Sequence, residues 1–129
     1  MAHIIRCLSE EGAVVILAED STDMVETARQ YTGSSRVCTA ALGRSLTAAS
    51  IMGYMLKNND DSVTLRFSGD GPAGSVITAA DADGNARGYI MNPGTALPLR
   101  ESDGKLDVGG AVGKNGTLTV IKDIGLPEP

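Results

Sequence analysis

With 129 residues the chain is long enough for one domain with its own core, but that core has little aromatic material: one Phe, three Tyr and no Trp. Its net charge is −5 and its 11 Lys and Arg do not run together, which argues against a nucleic-acid surface. Sixteen glycines favour a strand-rich fold with tight turns over a helical bundle.

The chain opens with "HIIRCL" and "AVVILAE", both rich in β-branched residues, with "SEEG" between them; a hairpin over residues 3–19 is expected. "EDSTDMVETARQYTG" then carries helix-start chemistry. Ser21 or Thr22 can cap, Asp23 and Glu26 suit the positive end, and Gly33 is a natural stop. Ser34 or Ser35 caps a second helix that runs to about Leu56. On this second helix Leu42, Leu46, Ala49, Gly53 and Leu56 line one side, and Ala41, Ala48, Ile51, Met52 and Met55 the other. A helix apolar all round should be buried all round. A membrane span is disfavoured by Arg44 near its middle, which would cost several kcal/mol in lipid. The expected arrangement is instead an α+β, β/α/β sandwich, a single domain in which two sheet layers enclose this helix. Arg44 is then expected to be buried against a carboxylate or carbonyls.

From residue 62 the pattern turns to strands: "SVTLRFS", "SVITAADA", "ARGYIMN" and, after Asn115-Gly116, "GTLTVIKD". Asp83-Gly84 punctuates a hairpin. "GLPEP" reads as an exit into a linker.

Three short motifs invite chemistry and are better read as architecture. "GDGPAG", Gly69–Gly74, has the letters of a dinucleotide loop, yet a strand pattern follows it and Asp70 would repel phosphate. It is expected to be a hairpin turn. "GGAVGKNGT" falls one residue short of phosphate-loop spacing and has Asn115 where Ser or Thr should stand. Asp81, Asp83 and Asn85 are spaced like calcium ligands, but no Glu closes the set, and a reverse turn accounts for them. His3 is the single histidine, without a nucleophile pair or a metal-ligand cluster, so the residues read as a non-enzymatic domain. Cys7 and Cys38 lack a C-x-x-C partner and are expected as two buried free thiols. No secretory signal is visible, which points to the cytoplasm.

Taken in order, "TAALGRSLTAASIMGYML", "GDGPAG", "ADADGNARGYIMNP", "LPL" and "KLDVGGAVGKNGTLTVIKDIGLPEP" resemble the heat-shock protein thirty-three family, the thirty-three-kilodalton chaperonins. The resemblance implies a bacterial, cytoplasmic, ATP-independent holdase that binds unfolding proteins under oxidative stress and is active as a dimer. It further implies a linker and a C-terminal domain whose four cysteines hold zinc when reduced and form disulfides when oxidised. Residues 1–129 would be the core domain alone, with linker and zinc domain outside it and no cofactor of its own. Cys7 and Cys38 do not match the switch cysteines and take no zinc or redox role. Gly43, Arg44, Gly69, Asp70, Gly71, Pro72, Gly84 and Gly88 match family motifs and are expected to shape the buried helix and its turns. Val76, Ile77, Ile90 and Met91 are the candidates for contact with clients, against the plainer reading that such strands are core. The alternative function is a small regulatory or scaffold domain that binds a metabolite or a folded partner. Neither nucleic acid nor membrane is expected as a partner.

Overall fold

The structure is a computed structural model and describes residues 3–127. The chain runs β1(His3–Leu8), β2(Val15–Asp20), α1(Thr22–Thr32), α2(Arg36–Tyr54), β3(Ser62–Gly69), β4(Val76–Asp81), β5(Ala86–Ile90), α3(Val108–Val112) and β6(Gly116–Asp123). β1 and β2 form an antiparallel two-stranded sheet, and β5-β4-β3-β6 an antiparallel four-stranded one. α2 lies across the larger sheet, with α1 and α3 beside it and β2 also in contact with it. The α+β class and the two sheets follow the expectation from sequence.

Period-two alternation explains how the four-stranded sheet meets α2. Val63 and Leu65 on β3, and Val76, Thr78 and Ala80 on β4, all point to the helix and are buried. They meet Val37, Cys38, Leu42, Leu46 and Ala49 of α2. Two hydroxyls sit in this apolar layer, Ser45 and Thr78, with their oxygens 2.8 Å apart. Each supplies the other's partner, so neither is left as a costly unmade hydrogen bond. Gly53 brings the end of α2 onto β4. A Cβ there would lie 2.3 Å from the carbonyl oxygen of Asp81.

Caps fix the helix boundaries. Ser35 Oγ accepts from the Cys38 N–H at 3.3 Å and starts α2. α1 ends at Gly33, whose φ of 63° is left-handed and whose N–H donates to Arg29 O. At the start of α1 the expected cap is displaced. Ser21 makes no cap bond and instead meets Thr47 Oγ1 on α2 at 2.6 Å, while Asp20 Oδ1 accepts from the Thr22 N–H at 3.1 Å.

Ser50 of α2 ties the small sheet to the rest: its hydroxyl lies 2.8 Å from Glu19 Oε1 on β2 and 2.6 Å from Gly84 O in the β4–β5 turn. α3 was not expected from the Gly-rich "VGGAV". It forms because Asp107 Oδ1 accepts from the Gly110 N–H at 3.0 Å and because Ala111 is fully buried. The last two residues of the "GLPEP" exit lie outside the described residues.

Candidate functional site

The motif glycines sit at turns and close backbone approaches. Gly69–Gly74 joins antiparallel neighbours β3 and β4, as a hairpin connection should. Gly71 N–H donates to Val112 O and Ala73 N–H to Ala111 O, so the loop packs backbone to backbone against α3. A Cβ at Gly69 or Gly71 would strike those same carbonyls at 2.1 and 2.3 Å. Asp70 accepts from Asn115 Nδ2 at 3.2 Å, and that bond holds its carboxyl below the usual range. Pro72 O accepts from Asn92 Nδ2 at 2.9 Å. Gly84, at φ 82°, makes the β4–β5 turn, and Gly88 lets β5 lie close on Thr78. Asp81 has spent its oxygens on that turn: Oδ1 accepts from the N–H groups of Asp83 and Asn85 at 2.9 and 3.0 Å. Burial pushes its carboxyl up, and these bonds, with those from the Asn85 amide and Gly84, outweigh it and hold the carboxyl below its ordinary value.

The four strand residues put forward for client contact separate by alternation. Val76 and Ile90 are core, 2% and 3% exposed, and are not available to a partner. Ile77 is half-buried on the opposite face of the sheet, and Met91, just past β5, is 56% exposed. The correction has a simple cause: on one strand, one face belongs to α2 and the other does not.

Arg44 is a second correction. It is exposed, and among the described residues its guanidinium makes neither an ion pair nor a hydrogen bond. The sheet buries one face of α2 and α1 covers part of the other, but at the turn of Arg44 the outward face is open. Gly43 next to it is buried, with Val25 of α1 against it. Cys7 is a third. Both cysteines are free, but only Cys38 is buried, with its Sγ 3.5 Å from Asn92 O; Cys7 is exposed on β1. Among the described residues no layer covers the hairpin face that carries Cys7. The two thiols sit on different elements. Among the described residues no group of three or more His, Cys, Asp or Glu is placed to hold a metal ion.

The apolar surface the sequence did not single out is on the strands. Ile5, Cys7, Ile16 and Ala18 share one face of the β1–β2 sheet and are all exposed, Ile5 at 55% and Ile16 at 59%. On β6, Leu118 and Val120 lie opposite Phe67 and Leu65 and so point to the helix side, yet both are exposed because α2 does not reach them. Runs with no polar alternation, such as "AVVIL", are the sequence signal. They read as core until a sheet is seen with one side uncovered. Among the described residues no helix is long and apolar enough to cross a membrane.

Comparison with known proteins fits this fold. The model of the family described as Hsp33 protein matches residues 2–129. The chain belongs to the Hsp33 family. It is 46% identical over 127 residues to the 33 kDa chaperonin of Acetivibrio thermocellus, covering 98% of this chain and 42% of that protein. It is 47% identical over 127 residues to the 33 kDa chaperonin of Caldanaerobacter subterraneus subsp. tengcongensis, covering 98% of this chain and 43% of that protein. The crystal structure of the 33 kDa chaperonin from Thermotoga maritima superposes with a TM-score of 0.90 at 34% identity, covering 98% of this chain and 42% of that one. The chain thus spans about two-fifths of the length of these relatives.

Proposed function

We propose that this Hsp33-family chain is the core of an ATP-independent holdase, a non-catalytic binder of unfolding proteins in the cytoplasm. The observation that carries the reading is the uncovered apolar face of the β1–β2 sheet, Ile5, Cys7, Ile16 and Ala18, in a member of a chaperone family. An unfolding client offers apolar segments of no fixed sequence. A flat apolar strand face with few polar groups accepts them without a shaped pocket. Ile77 and Met91 add exposed or half-exposed apolar contacts at the larger sheet. In this proposal redox control and zinc are assigned outside residues 1–129, and a homodimer is a partner state open to the core itself. Cys7 and Cys38 take no switch role.

The test is dilution of a chemically unfolded client into buffer with and without the chain, followed by light scattering. Suppression is expected to be partial and unchanged by peroxide, by added ATP or by Cys7→Ser with Cys38→Ser. Ile5→Glu with Ile16→Glu is expected to keep the fold, because both side chains are more than half exposed, and should remove most of the suppression. Full activity in that variant would place the client surface elsewhere. Activation by peroxide that vanished in the Ser variant would return a redox role to these two thiols.

A further inference from the structure

The outward face of α2 carries a stripe of Arg36, Ala40 and Arg44, four residues apart at each step and therefore on one side of the helix. An open groove of about 690 Å³ runs along this stripe between α2 and α1. Its walls are Arg36 and Arg44 with apolar Val25, Ala40, Ala48 and Ile51. A second cavity, of about 550 Å³, adjoins the same two arginines on the other side and adds Arg100 and Lys105. Four of the chain's 11 Lys and Arg thus border one cavity, and no Asp or Glu is among its lining residues. Arg100 is engaged by Asp103. Among the described residues Arg36, Arg44 and Lys105 have no side-chain hydrogen bond or ion pair. In a protein with five more acidic than basic residues, carboxylates are plentiful, yet among the described residues none meets Arg36, Arg44 or Lys105.

We infer that this groove binds an extended, acidic peptide segment with an apolar residue between two carboxylates. The spacing supports it. Eight helical residues separate Arg36 from Arg44, about 12 Å along the axis. In an extended strand, side chains at i, i+2 and i+4 share a face, and i to i+4 spans about 13 Å. A Glu-x-Leu-x-Glu segment laid along α2 places one carboxylate at each guanidinium and the leucine over Ala40, where no side chain beyond a methyl obstructs it. Planar guanidinium groups take carboxylates through paired N–H donors, which favours this ligand over an uncharged one. A simple inorganic anion would use the charges but leave the apolar wall between them without a role. Specificity here comes from charge, whereas the β1–β2 face offers only apolar area.

The experiment is fluorescence anisotropy of a labelled peptide containing Glu-Ser-Leu-Ser-Glu, titrated with the chain at low and moderate salt. Binding should weaken as salt rises. It should fall about two- to fivefold with each of Arg36→Gln and Arg44→Gln, the loss expected for one charge pair at a solvent-open surface. Arg66→Gln, an exposed cation on the outer face of the four-stranded sheet, should change nothing. Peptides with Gln for both Glu, or Ser for Leu, should bind about fivefold more weakly, from two lost charge pairs in the first and lost apolar burial in the second. Circular dichroism melts check that each variant is folded, which exposure of these side chains leads one to expect. Equal binding by the Gln peptide, or by the Arg36 and Arg44 variants, would overturn the inference. Displacement by pyrophosphate together with undiminished binding of the Leu→Ser peptide would reduce the groove to a simple anion site and also overturn it. Binding is read directly, so failure here is distinct from failure to suppress aggregation.

Discussion

The two sides of α2 obey different rules although their residues look alike in sequence. Towards the four-stranded sheet the helix buries Val37, Leu42, Leu46 and Ala49 against branched strand side chains, and Gly53 touches backbone. Towards α1 it presents Thr39, Ala40, Gly43, Arg44 and Ala48, which border an open groove. Small apolar residues serve both close packing and a shallow surface, so composition alone does not tell them apart. What separates the sides is the layer opposite each: a sheet spans the helix's length, whereas α1 crosses only part of it.

The largest effect that tests this comparison lies on the sheet side. Leu46 is 1% exposed and in the core layer. Leu46→Ala should lower the unfolding free energy by about 2–5 kcal/mol, from lost burial and the cavity left behind. Urea unfolding followed by circular dichroism reads it. A loss below about 1 kcal/mol would mean that the sheet side is as loosely covered as the other.

A pair of glycine changes sharpens the same contrast. Alanine gains about 1 kcal/mol over glycine inside a helix, at either position. At Gly53 the new methyl would lie 2.3 Å from Asp81 O, a backbone atom of β4 that cannot rotate away. Overpacking of that kind costs about 1–3 kcal/mol, so Gly53→Ala should be destabilising on balance. At Gly43 the nearest atoms are the Val25 methyls, at 2.8 and 3.1 Å, on a helix with open groove beside it. Val25 has room to shift, and Gly43→Ala should stay within about 1 kcal/mol of the parent. Equal losses for the two variants would show α1 to be fixed as firmly as β4.

These contrasts also mark what could be read in advance. The strands from Ser62 onward, the Asp83-Gly84 turn and both long helices were legible because each rests on local chemistry: period, caps and turn residues. "GDGPAG" is legible as a turn for the same reason, since the strand that follows it is a local fact. Arg44, Cys7 and the split between Val76 and Ile77 were not legible. Each depends on which face of an element has a layer over it, and that is decided by elements far away in the chain. α3 escaped because its glycines argue against a helix, while its stability comes from Asp107 and the burial of Ala111 against distant residues. Of the candidate surface, the apolar runs were visible, but their exposure was not.

The smallest expected effect is on the solvent side of α1, remote from both faces of α2. Glu26 Oε1 and Oε2 lie 2.6 and 2.8 Å from Arg29 Nη2 and Nε, one turn along the helix. That bond, helped by Gln30, brings the Glu26 carboxyl from 4.5 to about 2. The folded chain therefore holds this proton less well than the unfolded chain. The contribution is fully present above about pH 4.5 and is lost as pH falls towards 2. Both partners are about half exposed, with side chains at 48% and 49%, so solvent and salt screen the pair and the effect should be slight. Melting temperature measured from pH 6 down to pH 2.5 should fall for the parent and for Glu26→Gln alike, because other carboxylates titrate in the same range. The difference between the two curves should be small at pH 6 and should narrow as pH falls. Adding salt at pH 6 should narrow it too. A difference that widened towards low pH would mean that Glu26 is better stabilised when protonated. Its partner in the folded chain would then not be the Arg29 guanidinium.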